Sequence, residues 1–99
     1  MNKREKEIFE KSLKLLVREL DPKRIYLFGS RAKGDARPGS DFDFALDCQS
    51  PEAMKKNQVK DMLDAIAGLY SIDIVFLPEI DPGFKDLILE TGKVIYEQK

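Results

Sequence analysis

The chain has 99 residues, 42% hydrophobic and 35% charged, with 17 basic against 18 acidic side chains and a formal net charge of -1. Such a length is expected to form one domain over residues 1–99 that buries roughly 65% of its unfolded surface, and the balanced charge argues against bulk nucleic acid as the main ligand. Cys48 is the only cysteine and histidine is absent, which excludes an intramolecular disulfide, a zinc site of the usual kind and any histidine-based nucleophilic triad.

Phe9, Leu13, Leu16, Val17 and Leu20 recur at helical spacing and predict a helix over residues 3–20 with an apolar stripe. Glu7–Lys11 and Glu10–Lys14 are oriented as favourable pairs on its solvated side, and Asp21-Pro22 ends it. Arg24-Ile25-Tyr26-Leu27-Phe28 reads as a strand stopped by Gly29. Residues 30–40 contain Gly34, Pro38 and Gly39 and read as a connection with one helical turn after Ser30. Asp41 to Asp47 alternates as a strand, with Asp41, Asp43, Ala45 and Asp47 on one face and Phe42, Phe44 and Leu46 on the other. Ser50-Pro51-Glu52 reads as a helix start with Ser50 as the capping hydroxyl; Val59, Met62, Leu63 and Ile66 give that helix its buried face, and Gly68 weakens its end. A third strand is expected over residues 71–77, with Asp73 and Val75 opposite Ile72, Ile74 and Phe76. Asp81-Pro82 opens a last helix, Gly92 closes it, and Val94-Ile95-Tyr96 adds a short strand. The order α-β-β-α-β-α-β predicts an α/β (α+β) fold, a small β-sheet flanked by helices. No apolar run approaches the ~18 residues of a membrane span, and no signal-peptide core follows the charged N-terminus. A cytoplasmic protein without membrane contact is therefore expected.

Three carboxylates and a Gly-Ser pair carry the chemistry. On a strand, Asp41 and Asp43 point the same way, about 7 Å apart, and two such carboxylates repel unless a cation lies beside them. An all-carboxylate donor set suits a hard ion such as Mg²⁺ or Mn²⁺. An EF-hand is excluded, because Ala45 and Leu46 stand where that loop needs a ligand and a glycine. Gly29-Ser30 ends a strand where the backbone can approach a ligand closely, and the amides of a following helical turn can face an anion, with Arg31 and Lys33 adding charge. Neither a P-loop nor a dinucleotide fingerprint is present. Asp73, mid-strand between isoleucines, shares a face with Asp41 and Asp43 if the two strands are neighbours. Each feature alone also has a plainer reading: a solvated strand face, an everyday turn, a carboxylate paired with a lysine or arginine.

Taken together, Leu27-Phe28-Gly29-Ser30-Arg31-Ala32-Lys33-Gly34 and Ser40-Asp41-Phe42-Asp43-Phe44, with ten residues between Ser30 and Asp41, resemble the minimal nucleotidyltransferases of the DNA polymerase β superfamily. The resemblance extends through Asp73-Ile74-Val75 to Gly92-Lys93-Val94-Ile95-Tyr96. It implies the nucleotidyltransferase fold, a mixed sheet backed by helices, with two Mg²⁺ ions and an NTP, usually ATP, as nucleotide donor. Carried over by motif, Asp41 and Asp43 would be metal ligands, and Asp73 the third catalytic carboxylate, a ligand that also accepts the acceptor's proton. Gly29 and Ser30 would hold the β- and γ-phosphates, with Arg31 in the same cofactor-binding stretch. The product would be a 5′-monophosphate ester on an acceptor hydroxyl, with pyrophosphate released.

Larger members of that superfamily carry added acceptor-binding domains, and this chain ends soon after its catalytic core. An acceptor supplied by another subunit is therefore expected. Minimal members pair with small helical HEPN-class proteins in toxin–antitoxin modules, where the transferase adenylylates a tyrosine of the HEPN ribonuclease. By that resemblance the expected partner is a HEPN-type protein in a hetero-oligomer. The alternatives are a non-catalytic antitoxin or scaffold acting by contact, and nucleotidyl transfer to a small molecule. A glycosyltransferase using Asp-x-Asp leaves Gly29-Ser30 unexplained, and nothing resembles a template-binding domain for DNA synthesis.

Overall fold

The computed structural model describes residues 1–34 and 40–99; Pro38 and Gly39, expected in the connection ahead of Asp41, lie outside them. In chain order the elements are α1 (Lys3–Leu20), β1 (Arg24–Phe28), α2 (Ser30–Lys33), β2 (Phe42–Leu46), α3 (Ala53–Ala67), β3 (Ile72–Phe76), a 3₁₀ turn (Leu77–Glu79), α4 (Pro82–Thr91) and β4 (Lys93–Glu97). The strands form one mixed sheet in the order β3-β2-β1-β4. β1 is antiparallel to both β2 and β4, and β2 runs parallel to β3.

Two layers of helix cover the sheet unequally. On one face Ile25, Leu27, Phe42, Phe44, Leu46, Ile72 and Phe76 pack with Ile8, Leu15 and Leu16 of α1 and Val59, Leu63 and Ala67 of α3. On the other, Tyr26 and Ala45 meet Ile88 of α4 and Leu77, with Phe28, Val75 and Ile80 at the margin. The period of two in β2 therefore sends its phenylalanines into the main core and Asp43 to the more open face.

The chain's own signals explain most boundaries, and the packing adjusts a few. Asn2 and Glu5 close a reciprocal capping box at the start of α1: Asn2 Oδ1 accepts from the Glu5 amide at 2.8 Å, and the Asn2 amide donates to Glu5 Oε1 at 3.0 Å. The buried face of α1 is Glu5, Ile8, Ser12, Leu15 and Leu16, one side of the expected stripe; Phe9, Leu13, Val17 and Leu20 pack at its margin, partly buried. Two polar residues on the deepest face disguise it in the sequence. Glu7 bonds Lys11 at 3.2 Å as expected. Helix α3 starts at Ala53 with Glu52 as its cap residue, not Ser50. The Ser50 hydroxyl turns to the Pro51 carbonyl at 3.4 Å, and its amide donates to Glu79 in the 3₁₀ turn, so a tertiary contact takes it away from the helix start. β2 and β3 are each one residue shorter at both ends than expected, which leaves Asp41 just outside the sheet.

Phe44 is fully buried, with Phe9 and Phe42 rings at centroid distances of 6.1 and 6.3 Å. Phe44→Ala is expected to cost about 3–5 kcal/mol, a large part of the ~5–15 kcal/mol typical of a folded protein. Urea unfolding read as a shift in midpoint at unchanged slope checks this.

Candidate active site

The site lies where β1 ends and β2 and β3 begin, on the sheet face that α4 covers only in part. Register decides its composition. Asp43 is the direct partner of Asp73 across the parallel β2–β3 pair, and of Phe28 across the antiparallel β1–β2 pair. Strand spacing sets the Asp43 and Asp73 backbones about 4.8 Å apart, with side chains on one face. The adjacency that the sequence could only assume is thus present. Asp73 and Asp41 are exposed, and Asp43 is half-buried.

Those carboxylates interact unfavourably. The Asp43 carboxyl is held above its ordinary value of 3.8 by burial first, then by the charges of Asp73 and Asp41. Among the described residues no lysine or arginine pairs with Asp43. Nor, among them, do three carboxylate, cysteine or histidine groups stand close enough together to enclose an ion; Asp41 sits one residue outside the strand, near enough for its charge to act on Asp43.

Gly29 gives the site its floor. Its φ of 75° and ψ of -153° belong to a region open to glycine almost alone. A Cβ there would lie 2.5 Å from Asp43 Oδ2, so the missing side chain is what lets the β1–α2 turn press against the carboxylate. One turn of helix, α2, follows, and its first amides have no partner within the helix. The Ser30 hydroxyl, half-buried, has no protein hydrogen bond among the described residues. An oxygen-only donor set beside a close backbone approach fits a hard cation and a phosphate.

Arg31 is placed otherwise than the sequence suggests. Expected in the cofactor-binding stretch with Gly29 and Ser30, adding charge there, it turns inward with its side chain 3% exposed and forms an ion pair with Glu5 at 2.9 Å. Its remaining bonds go to the carbonyls of Ser40 and Asp41. Glu5 was not singled out by sequence reasoning, although the spacing Asn2-x-x-Glu5 marks it as a capping-box residue. Hollows of about 310 and 330 Å³ lie away from the carboxylates, one lined by Lys23, Arg24, Asp47 and Glu97, the other by Leu13, Val17 and Tyr96. A smaller hollow of about 110 Å³ reaches one of the carboxylates, lined by Asp73 with Lys56, Lys60, Leu63, Ile72 and Ile74.

Residues 10–99 match the family described as Polymerase beta, Nucleotidyltransferase. The chain belongs to that nucleotidyltransferase family. Among solved structures it is similar to a toxin–antitoxin structure with AMP-PNP, at 25% identity and a TM-score of 0.71, covering 91% of this chain and 74% of that one. A mutant of the toxin–antitoxin MntA–HpeT gives 26% identity and a TM-score of 0.67, covering 92% and 73%. A tri-AMPylated HEPN toxin in complex with MNT antitoxin, from Shewanella oneidensis, shares the fold at 22% identity and a TM-score of 0.70, covering 92% and 71%. No curated protein matches the chain. No helix among the described residues is long and apolar enough to cross a membrane.

Two expectations follow from the geometry. An acid whose pKa is higher in the fold than in the unfolded chain makes the fold lose stability as pH rises from the ordinary carboxylate value through the raised one, and the loss persists above it. Asp43→Asn is therefore expected to raise the melting temperature of the metal-free protein at pH 7 and to flatten that decline, as paired thermal melts between about pH 4 and about pH 7 will register. Gly29→Ala should cost about 1–3 kcal/mol of backbone strain and push Asp43 aside. Its melting temperature should fall, as a thermal melt beside the wild type will register.

Proposed function

We propose that this nucleotidyltransferase moves AMP from ATP to an acceptor hydroxyl in a Mg²⁺-dependent reaction, the acceptor being a tyrosine of a small helical HEPN-type partner. The observation that carries the reading is the register of Asp43 with Asp73, set beside a glycine-floored turn. It accounts for a pair of uncompensated carboxylates and a close backbone approach in one place. Likeness to an AMP-PNP-containing toxin–antitoxin structure at 25% identity supports the choice of donor and the kind of partner.

In this reading Asp41 and Asp43 hold Mg²⁺, and Asp73 completes the set. Two bound Mg²⁺ ions supply charge that lowers the pKa of the acceptor hydroxyl and neutralises the departing pyrophosphate. Gly29 and Ser30 hold the β- and γ-phosphates through backbone N–H groups and the Ser30 hydroxyl, which orients the α-phosphorus for in-line attack. Asp73, exposed and on the open face, takes the acceptor's proton as the new P–O bond forms and the bond to pyrophosphate breaks. No histidine is needed, because positioning and charge stabilisation provide the rate. The exposed carboxylates suit an acceptor brought by another protein, since a hydroxyl on a macromolecule needs an open approach.

The test is incubation of wild type and Asp43→Asn with Mg²⁺, α-labelled ATP and extract of the source cells. Label on one small protein with wild type only is expected, and mapping it to a tyrosine identifies the acceptor. Mg²⁺-ATP binding by wild type without any labelled product in that extract would overturn transfer and favour an antitoxin acting by contact.

A further inference from the structure

We propose that Arg31 is a positioning residue that sets Asp41 for metal binding, an inference that rests on the nucleotidyl-transfer reading above. The ladder that fixes Asp43 and Asp73 begins at Phe42, whose amide donates to the Ser71 carbonyl at 2.9 Å. Asp41 lies one residue before β2, so strand pairing does not hold it in the way it holds Asp43. Arg31 supplies the missing hold. Its Nε donates to the Asp41 carbonyl at 3.2 Å, and its Nη2 donates to the Ser40 carbonyl at 2.6 Å and to Glu5 Oε2 at 2.9 Å. The guanidinium lies 3.9 Å from the centroid of the Phe42 ring, the side chain between the two proposed ligands.

A planar fork is suited to this work in a way that a lysine is not: one group reaches a carboxylate and two successive carbonyls while its face rests on an aromatic ring. The far end is fixed as well. Glu5 Oε1 is engaged by the Asn2 amide in the capping box, so Glu5 presents Oε2 to Arg31 from a constrained rotamer. Both partners of the ion pair are nearly dry, at 3% and 6% side-chain exposure. Buried ion pairs contribute little net stability against apolar replacements of similar size, so stability alone is a weak reason for a charged arginine here. Fixing the main chain of a metal ligand is a sufficient one. Arg31 thereby serves the same site the sequence assigned to it, but from behind.

The test measures Mn²⁺ binding in the presence of ATP by electron paramagnetic resonance, with thermal melts alongside, for wild type, Arg31→Lys, Asp41→Asn and the double variant. Arg31→Lys is expected to melt cooperatively, to weaken Mn²⁺ binding by about tenfold or more, as loss of a ligand-orienting contact does, and to leave ATP binding without metal unchanged. In the Asp41→Asn background the same substitution should change Mn²⁺ affinity little, because the residue it acts through is already gone. A purely architectural arginine would instead lower the melting temperature in both backgrounds and leave the Mn²⁺ affinity of the folded protein alone. That result overturns the proposal. If Arg31→Lys does not fold, Glu5→Gln takes its place, with a smaller loss of Mn²⁺ affinity expected and unchanged affinity again decisive. Wild type that binds no Mn²⁺ with ATP would overturn the metal-site reading itself, an outcome distinct from equal binding by wild type and variant.

Discussion

The pairing of β2 with both of its neighbours is the constraint on which the site depends. Its parallel register with β3 puts Asp43 opposite Asp73, and its antiparallel register with β1 puts Asp43 opposite Phe28, one residue before Gly29. Because side chains alternate, a one-residue slip of β2 would turn Asp43 into the main core and Phe42 and Phe44 out of it. Burial of those two rings is therefore also what holds the carboxylate outward. Core and site share one register, and neither can shift without the other.

The same face carries a tension that the core must overcome. Asp43 is disfavoured by burial and by two like charges, and the turn at Gly29 uses a backbone conformation that other residues adopt only under strain. Both features cost stability in the metal-free protein. Under the proposed function, a bound cation would relieve the first, and ligand binding would stabilise the native state in turn.

Local signals made most of the fold legible. Apolar spacing and proline located α1, the run from Arg24 to Phe28 gave β1, and alternation around Phe42 and Phe44 gave β2 with its outward carboxylates. The Asp-x-Asp and Gly-Ser spacing was enough to bring the family into view. Asp73 was recognisable as an anomaly in an apolar strand, while its pairing with Asp43 is a tertiary fact that no local pattern encodes. The misreadings have a common origin in long-range contacts. Ser50 looks like a helix cap until Glu79 takes its amide, and Arg31 looks like a surface cation until Glu5, 26 residues earlier, draws it inward. The buried side of α1 was obscured for the same reason, since Glu5 and Ser12 interrupt an otherwise apolar face.

The capping box of α1 has a dynamic consequence. Terminal helical turns are ordinarily the first to fray, opening at little free-energy cost compared with the centre of a fold. Here the first turn of α1 holds Glu5, Glu5 holds Arg31, and Arg31 holds the backbone at Ser40 and Asp41. Local opening at Asn2 is thus transmitted to a loop 39 positions further along the chain. Amide exchange at the head of α1 and around Asp41 would then rise and fall together, a single breathing unit assembled from two segments that the sequence keeps far apart.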